Sequence, residues 1–525
     1  MAKTSTAQSL KAALKSWRLG AVTLLSLSSG LPLGVVITAV PAFMAMAGVD
    51  IKTIGVVTLA QAPYAFKFLW SPLLDRYRLP WLGRKRGWIL LGQGALCALT
   101  LALAVQADSP RIGLVAAVTL LIAFASASQD IAIDAYTVDS LLPEEQGLAV
   151  GARTAMYRVG MGAGAIAIAV AGLSVGGHKL GWGLTLGVIA LLFLALAPVT
   201  VFAPEPALQA PPPRTMREAV WEPFLDFFRK DRALEIAAFL LLYRLADNLA
   251  ASLVRPFLVE AHFDPFDIGV ASAMGLVVTT LGTFVGGFFT TRLGLGRALW
   301  LFGLLQALAG AGYALVAAVG VNRPLMYAGM AWESWASGMG LGAFGVLLLR
   351  LTQKRFSATQ YALFSSVFAL GRTIAGPIAG AIQDAIGWRD FFLFTVACGA
   401  PGLAMLQRFV PLGSRDLPED SGAGLARAAM AAMTRLGIAA RSLAAAAVAA
   451  SAGLAVSATL GALKQSHEGK GFDLTAALLR DLQPTAVSEG LDLAGALVFG
   501  LVVGLGYAAY LAARSQSQPA KGEGT

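Results

Sequence analysis

The sequence has little charge, little cysteine and little histidine, and each shortage excludes a class of protein. Only 13% of its 525 residues are charged, whereas a soluble protein of this length carries about 25%. The two cysteines, Cys97 and Cys398, lie inside apolar runs, so they predict neither a disulfide framework nor a metal site. The three histidines, His178, His262 and His467, all lie outside the apolar runs. We therefore expect no cofactor, no metal centre and no histidine that carries protons within a membrane.

Hydrophobic residues make up 57% of the chain and gather in long runs. A run of about 20 apolar residues is long enough to cross a bilayer as a helix, and a helix satisfies its own backbone polar groups there. The thirteenth such run, Ser442–Leu463, is rich in alanine; the alternative, a helix on the membrane surface, would need a basic face that it lacks. The sequence thus predicts an all-α membrane protein. The predicted spans are 19–46, 53–74, 87–106, 112–138, 148–174, 181–203, 233–258, 268–290, 298–319, 325–349, 360–383, 391–411, 442–463 and 492–512.

Lysine and arginine are unevenly divided between the predicted loops. With the N-terminus in the cytoplasm, the inner segments hold roughly three times as many of them as the outer segments, which is the bias expected of cytoplasmic loops. The net charge of +10 is then a topology signal, and we expect no nucleic-acid partner. The pattern predicts a multi-pass membrane protein, with both termini in the cytoplasm and its first span retained rather than cleaved as a signal peptide.

A proline-rich loop divides the predicted spans into two groups of six. An arrangement of six spans followed by six more is typical of transporters built from repeats, in which two helical bundles rock around a central site. Weak internal similarity supports the repeat: predicted span 5 carries Arg158 near Gly160, and predicted span 11 carries Arg372 beside Gly371. The predicted domains are a six-helix bundle at 1–203, a cytoplasmic loop at 204–232, a second six-helix bundle at 233–411, and an appendage at 412–525 with two further helices and a disordered tail.

Charged residues inside the predicted spans are functional candidates, because an ionised group in a membrane is expensive. Asp130 and Asp134 in span 4 are four residues apart and share one helix face. Arg158 in span 5 and Lys67 in span 2 lie at depths from which they could reach the same bundle interior. Nearby carboxylates raise each other's pKa, and a neighbouring base lowers it again. A solute entering this network could therefore couple its own movement to that of a proton.

The second half has its own candidates. Arg244 and Asp247 are three residues apart in span 7 and are expected to pair, while Glu333 in span 10 is the most isolated acid. Since no histidine lies in a span, any intramembrane proton carrier must be a carboxylate. The alternative is that such pairs are structural locks that fix helix register or close a gate. The predicted proton-coupling residues are Asp130, Asp134 and Glu333.

Polar and aromatic residues in the spans are candidates for solute binding. Ser28 and Ser29 precede Gly30 and Pro32, which are expected to break span 1; the alternative is a simple kink. Aromatic rings could stack on sugar faces, although packing roles are more common for them. The predicted substrate-binding residues are Ser28, Ser29, Tyr64, Lys67, Gln129, Tyr157, Arg158, Arg244, Asp247, Trp332 and Arg372. The predicted gating residues are Asp75, Arg76, Arg84 and Arg86.

Several of these motifs together resemble one family. They run from about residue 17 to residue 410, and the most specific are Gln129-Asp-Ile-Ala-Ile-Asp-Ala135, Gly338-Met-Gly340 and Phe356-Ser-Ala-Thr-Gln360. The chain resembles the AmpG-type muropeptide permeases, a branch of the major facilitator superfamily related to acetyl-CoA transporters. The Asp75…Arg86 loop alone is typical of the whole superfamily, and here six residues separate its two parts, more than in the usual form.

The resemblance implies a fold, a solute and a mechanism. It implies the major facilitator fold in a bacterial inner membrane and the proton-driven import of N-acetylglucosaminyl-anhydro-N-acetylmuramyl peptides from periplasm to cytoplasm. We also expect the protein to be a monomer in the lipid bilayer. Cell-wall recycling and, in some bacteria, β-lactamase induction would depend on it. The acidic pair of the family falls on Asp130 and Asp134, with Gln129 beside them and Arg158 in span 5.

Two alternatives remain open at this point. One keeps the fold and changes the solute to a siderophore, a drug or an acetyl-CoA-like compound. The other changes the class to a membrane-embedded enzyme or a channel. An enzyme would need a histidine or cysteine nucleophile, or a metal cluster, near one membrane face, and the sequence offers none. The two-half organisation argues against a channel built from a ring of subunits.

Overall fold

The computed structural model describes residues 16–49, 54, 57, 59–79, 82–107, 110–175, 178–206, 211–229, 233–415, 435–467, 471–483 and 487–515. Helices dominate these residues, beside one two-stranded antiparallel hairpin of β1 (Ser174–Val175) and β2 (His178–Lys179). The helices before the linker are α1 (Trp17–Gly34), α2 (Val40–Met46), α3 (Ala62–Phe66), α4 (Ser71–Arg76), α5 (Arg86–Val105), α6 (Ile112–Ser140), α7 (Gln146–Gly172), α8 (Gly181–Ala195) and α9 (Ala197–Phe202).

The linker carries a helix of its own, and seven more helices follow it before the C-terminal appendage. These are α10 (Met216–Arg229) in the linker, then α11 (Ala233–Leu242), α12 (Leu245–Glu260), α13 (Pro265–Leu293), α14 (Leu295–Ala307), α15 (Ala309–Val319), α16 (Arg323–Leu351) and α17 (Ser357–Phe409). The appendage contains α18 (Arg435–His467), α19 (Leu474–Leu482) and α20 (Val487–Ser515). We call the part before α10 the N-terminal half and α11–α17 the C-terminal half.

Among the described residues, eleven helical segments are long and apolar enough to cross a membrane. Predicted span 11 forms the first part of α17, which bends at Gly387, where φ is 77°. Predicted span 2 differs from expectation, because its described residues form short pieces rather than one helix: α3, α4 and 3-10 turns at Leu59–Gln61 and Lys67–Leu69. Pro63 and Pro72 each remove a backbone donor and crowd the preceding turn, which breaks a helix.

The predicted break at Gly30–Pro32 does not occur. Helix α1 continues through Pro32, and the irregularity lies in the next turn, a π-helical segment at Val35–Ala39 that leads into α2. The glycines serve another purpose: a Cβ atom on Gly30 would lie 1.9 Å from the carbonyl oxygen of Tyr157, and one on Gly34 would lie 2.2 Å from that of Met161. Glycine therefore lets α1 and α7 approach backbone to backbone.

The chain divides into two compact units, one of residues 1–219 and 238–418, the other of residues 220–237 and 419–525. Apart from residues 233–237, both predicted six-helix halves fall in the first unit, so their boundaries at 1–203 and 233–411 stay a prediction. In the second unit, α18 and α20 pack through small side chains, with Gly500 and Gly504 against Ala446. Leu225 of α10 and Ala512 of α20 form a small buried cluster there.

Candidate functional site

Lys67 lies between the two acidic residues of α6. Its Nζ donates to the carboxylate of Asp130 and, at 3.2 Å, to Oδ2 of Asp134. The spacing of four residues places both carboxylates on one face of α6, as the sequence predicts. Lys67 is only 6% exposed, so its ammonium group depends on these two partners for compensation. A buried ion pair of this kind is maintained only while both signs are present.

Arg153, not Arg158, completes this network. Arg153 Nη2 donates to Asp134 Oδ1 and forms a salt bridge with it. Arg153 lies five residues nearer the start of α7 than Arg158, about 7.5 Å along the helix. Because α6 and α7 run in opposite directions, the first turns of α7 lie beside the last turns of α6, where Asp134 is found. Arg153 lies only five residues inside the predicted span 148–174, and sequence reasoning, which looked for charges deep in a span, did not single it out as part of the site.

Hydroxyl and amide side chains surround the charged group. Ser29 Oγ donates to Asp130, and Gln129 Nε2 donates to Ser28 Oγ at 2.7 Å. Two residues that the sequence did not single out extend this chain. Gln93 Nε2 donates to Ser28 Oγ at 3.4 Å, and Thr200 Oγ1 donates to Gln93 Oε1 at 2.9 Å. The two predicted serines thus serve the network rather than a break in α1.

The aromatic candidates are divided between two places. Tyr64 and Tyr157 lie close enough to Asp130 to interact with it electrostatically. Tyr361, from α17 of the C-terminal half, likewise lies close enough to Arg153 and Asp134 to interact with them electrostatically. Trp332 is on α16 and is 42% exposed. The structure therefore brings two predicted tyrosines to the acidic pair and leaves Trp332 apart from it.

The C-terminal half holds a second charged group. Arg244 and Asp247 form a salt bridge of 2.6 Å, and Arg244 Nη1 also donates to Gln306 Oε1 at 2.6 Å. Ser337 Oγ of α16 donates to Asp247 Oδ2 at 3.1 Å. This pair is buried, and the pairing expected from the spacing of three residues is present.

Glu333 lies near this second group but has only long contacts. Tyr313 OH approaches Glu333 Oε2 at 3.5 Å, and Ser334 Oγ approaches it at 3.4 Å. Within the described part of the chain, no salt bridge to Glu333 is present. Its carboxyl group therefore has weaker support for its charged form than Asp130, Asp134 or Asp247.

Arg158 and Arg372 form no salt bridge with either acidic group among the described residues. Arg158 Nη1 donates across to α13 of the C-terminal half, to the carbonyl oxygen of Leu276 and to Thr280 Oγ1, each at 3.3 Å. Arg372, on α17, has an exposed side chain. The expected meeting of Arg158 with Asp130 and Asp134 is thus not what the structure shows.

Asp75 joins the two halves at one end of the helices, which we call the Asp75 end. Its carboxylate accepts the backbone N–H groups of Ala358 at 3.1 Å and Thr359 at 2.8 Å, the first turn of α17. It also accepts from Lys85 Nζ at 2.8 Å and forms a salt bridge of 3.3 Å with Arg84. Burial raises the pKa of the Asp75 carboxyl, but the charges of Lys85 and Arg84 outweigh it and hold this pKa below its usual value.

The other predicted gating residues divide into those that reach the second half and those that do not. Arg84 Nη2 donates to the carbonyl oxygen of Arg355 at 3.0 Å and so joins the halves. Arg86 instead pairs with Glu205 at 2.6 Å, within its own half. Arg76 lies over the ring of Tyr77. Lys85, which is 1% exposed, is indistinguishable in the sequence from the other bases of its loop.

Comparison with known proteins identifies the family. The model of the Major Facilitator Superfamily matches residues 22–360 and 236–521. The chain belongs to the major facilitator superfamily. Two solved transporters agree in fold. One is a variant of the E. coli fucose:proton symporter FucP, with a TM-score of 0.56, 14% identity, and coverage of 74% of this chain and 98% of that one. The other is a bacterial homologue of the iron transporter ferroportin in its outward-facing state, with a TM-score of 0.55, 13% identity, and coverage of 75% and 98%.

Sequence relatives narrow the position within the superfamily. The chain is 40% identical over 386 residues to the anhydromuropeptide permease of Escherichia coli (strain K12), covering 73% of this chain and 78% of that protein. It is 30% identical to a putative transporter AmpG 4 of Rickettsia conorii, covering 75% and 96%. The AmpG-type resemblance and the all-α major facilitator fold predicted from the sequence are both confirmed. This superfamily member is a multi-pass membrane transporter and not an enzyme.

In a major facilitator, two features of this structure are candidates for a functional role: the two charged groups and the contacts of Asp75. The Lys67–Asp130–Asp134–Arg153 group and the Arg244–Asp247 group are buried or partly buried, hydrogen-bonded charges, and charges of this kind are candidates for interaction with a polar solute or a proton. The contacts of Asp75, which join the halves at one end, are hydrogen bonds and ion pairs, and such contacts can break and reform as the halves move.

Proposed function

We propose that this transporter imports anhydro-muropeptides, N-acetylglucosaminyl-anhydro-N-acetylmuramic acid and its peptides, from periplasm to cytoplasm. The observation that carries the proposal is the 40% identity to a protein named anhydromuropeptide permease, in a chain that keeps its buried acidic pair bonded to Lys67 and Arg153. Sugar hydroxyls and acetamides suit the serine, glutamine and tyrosine side chains around that pair. Carboxylates of the peptide suit its bases.

In the proposed coupling, the aspartates and the carboxylates of the solute compete for Lys67 and Arg153. When Asp130 or Asp134 takes a proton, the carboxyl group no longer holds Lys67 or Arg153 by charge. The freed ammonium or guanidinium group can then bind a carboxylate of the solute. Release of the solute on the other side returns the base to the aspartate, which favours loss of the proton there. Solute and proton would thus move in the same direction, as in a symporter.

Glu333 is the proposed titratable group of the C-terminal half. Its carboxyl has only contacts of 3.4 and 3.5 Å from Ser334 and Tyr313, so it can gain or lose a proton without breaking a salt bridge. Arg244 and Asp247 lie near it and would bind the sugar part of the solute after a rearrangement of Ser337. Ser28, Ser29, Gln129, Tyr64, Tyr157 and Trp332 are proposed to complete the solute site.

The proposed orientation follows from the basic loops. The Asp75 end carries Arg84, Lys85 and Arg86, and positively charged loops favour the cytoplasmic side. With this end in the cytoplasm, both termini are cytoplasmic and the transporter lies in a bacterial inner membrane as a monomer. The contacts of Asp75 would then close the path toward the cytoplasm, and rocking of the two halves would open it.

The test is uptake of radiolabelled N-acetylglucosaminyl-anhydro-N-acetylmuramyl tripeptide into proteoliposomes containing the purified transporter. An inward proton gradient should drive accumulation above the external concentration, and a protonophore should abolish it. Asp130→Asn and Asp134→Asn should each lose accumulation, whereas Asp390→Asn, at an exposed acid of the same type, should not. Uptake that ignores the protonophore would refute coupling. Competition by excess unlabelled siderophore or acetyl-CoA, but not by unlabelled muropeptide, would refute the solute.

A further inference from the structure

Arg158 and Arg372 lie at similar depth in the two halves. Their helices α7 and α17 both begin at the Asp75 end, where Asp75 contacts the first turn of α17 and Arg350 Nε donates to Gln146 Oε1 at 3.4 Å. From these starting points, Arg158 is about 18 Å and Arg372 about 22 Å along its helix. Both positions thus lie far inside helices that the sequence predicts to cross the membrane, as spans 5 and 11.

Neither guanidinium group is bonded to a carboxylate among the described residues. The two bonds of Arg158 go to neutral oxygens of α13, at 3.3 Å each, and no salt bridge joins Arg372 to a described acid. By contrast, Lys67, Arg153 and Arg244 each contact an aspartate. A charged base without an acidic partner at this depth in a membrane costs free energy. This cost indicates a partner that binds and is released during transport.

Arg158 lies at the junction between the halves, because its Nη1 donates to Thr280 Oγ1 of the C-terminal half at 3.3 Å. Arg372, on α17 of the C-terminal half, is exposed and is near enough for its positive charge to act on Arg158. Each half thus contributes one positive charge to this region. Such a pair opposes closure of the halves at this level until an anion lies between them.

We propose that Arg158 and Arg372 together bind a carboxylate of the solute, one guanidinium from each half. Guanidinium groups bind carboxylates through parallel hydrogen bonds, so one carboxylate can engage both arginines. Binding cancels the repulsion and joins the halves, which links the arrival of the solute to the closing movement. This inference rests on the proposed function, because it names the part of the muropeptide that the two arginines recognise.

The decisive experiment compares two ligands on purified protein. One is the anhydro-muramyl tripeptide with free carboxylates, and the other is the same molecule with its carboxylates converted to amides. Arg158→Gln and Arg372→Gln should each weaken binding of the free acid by about 10- to 100-fold, since a hydrogen bond to a charged group has about that effect. Binding of the amide should change little. Equal losses for both ligands, or no loss for either, would overturn the proposal.

Matched variants separate the effect of the parallel hydrogen bonds of arginine from the effect of its charge alone. Arg158→Lys and Arg372→Lys keep the positive charge and lose the parallel hydrogen bonds, so they should show intermediate affinity for the free acid only. Arg111→Gln removes an exposed positive charge outside this junction and should leave both affinities unchanged. A loss in Arg111→Gln as large as in Arg372→Gln would mean that net charge, not this pair, sets the affinity.

The anion could also be a lipid phosphate. Binding should therefore be measured in vesicles of phosphatidylcholine alone and in vesicles containing phosphatidylglycerol. The preference of the wild type for the free acid should be the same in both. A loss of the arginine effect in phosphatidylcholine alone would assign the pair to anionic lipid and overturn the assignment to solute.

A measurement without solute keeps the inference apart from the proposed function. Spin labels at Leu173 and Phe266, both exposed, report the distance between the halves at the end opposite Asp75, in a background in which Cys97 and Cys398 are replaced by alanine. Arg372→Gln should shift the distances toward shorter values in the empty transporter, and Arg111→Gln should not. If the wild type transports no muropeptide, the proposed function fails. The role of the pair in holding the halves apart is then still judged by this shift, and its absence would refute it.

Discussion

The carboxylate of Asp75 accepts the backbone N–H of Thr359 at 2.8 Å, so a side chain from the N-terminal half caps the first turn of α17 in the C-terminal half. The first turn of a helix has unsatisfied N–H groups and a partial positive charge. Asp75 satisfies two of these groups, at Ala358 and Thr359, while Lys85 compensates its charge from the other side. The halves are thus joined by a contact that is strong only when Asp75 is ionised.

Asp75→Asn should destabilise this junction strongly. The change leaves Lys85 buried without its acid, and loss of one member of a buried pair costs about 3–5 kcal/mol. The closed arrangement should therefore lose occupancy by roughly 100-fold or more. A cysteine placed at Ala362, one turn farther along α17, should then react faster with a membrane-impermeant maleimide. Arg76→Gln is the matched control, because Arg76 lies beside Asp75 and contacts the Tyr77 ring. Equal reaction rates in wild type and Asp75→Asn would contradict the role given to Asp75.

The same junction should depend on pH. The pKa of Asp75 is lowered in the folded protein, so its contribution is fully present above the ordinary carboxyl pKa and is lost as the pH falls through the lowered value. Because maleimide reacts with the thiolate, whose fraction changes with pH, the measured quantity is the ratio of the wild-type rate to the Asp75→Asn rate for a cysteine at position 362, taken at the same pH. This ratio should be small at neutral pH and approach one only in strongly acidic buffer, where Asp75 is protonated. A ratio that approaches one on alkalinisation instead would have the wrong sign.

Substitutions at Lys67 and Asp130 should have coupled, non-additive effects on the free energy of unfolding. Lys67→Gln leaves Asp130 and Asp134 without their shared base, and Asp130→Asn leaves Lys67 with one acid; each should lower the free energy of unfolding by about 3–5 kcal/mol. The double variant removes both signs, while Asp134 keeps Arg153. Its loss should be smaller than the sum of the single losses by about 0.5–3 kcal/mol. Thermal unfolding in detergent measures all three, and additive losses would argue against the pair.

Arg153 and Arg158 should behave differently although they lie on the same helix. Arg153→Gln breaks a buried salt bridge with Asp134 and should cost about 3–5 kcal/mol of stability. Arg158→Gln breaks only two bonds of 3.3 Å to neutral oxygens and should cost less than about 1.5 kcal/mol. Melting temperatures in one detergent compare the two directly. A larger loss in Arg158→Gln would restore the pairing expected from the sequence.

Local pattern was enough for much of the fold. The predicted span 112–138 became Ile112–Ser140, and the predicted 268–290 became Pro265–Leu293, because the length of an apolar run and its flanking polar residues are properties of the local sequence. The same holds for contacts within one helix or across one turn. Spacing of four placed Asp130 and Asp134 on one face, and spacing of three paired Arg244 with Asp247.

The sequence could not predict which residues of different helices contact each other. Which turn of α7 lies opposite Asp134 depends on how closely α7 packs on α1, and this is decided by glycines whose role is visible only in three dimensions. Lys85 looks like one more topology signal among Arg84 and Arg86, since nothing in the loop sequence shows that it turns inward to Asp75. The capping of α17 by Asp75 joins residues 284 positions apart, beyond the reach of any periodicity.

The packing of α1 on α7 gives a prediction with a built-in control. A Cβ atom on Gly30 would lie 1.9 Å from the carbonyl oxygen of Tyr157, whereas one on Gly162 would meet nothing within 4 Å. Gly30→Ala should force α1 away from α7 and cost several kcal/mol, on the order of 3 or more, because backbone cannot move aside as a side chain can. Gly162→Ala should be neutral or stabilise the helix by up to about 1 kcal/mol.

Size-exclusion chromatography after heating measures both variants. Displacement of α1 would also withdraw Ser29, the neighbour of Gly30, from Asp130, so Gly30→Ala should lose transport even at temperatures where it remains folded. A Gly30→Ala protein that melts like Gly162→Ala would show that α1 and α7 can separate freely. The network around Asp130 would then be held by its ion pairs rather than by the close approach of the two helices.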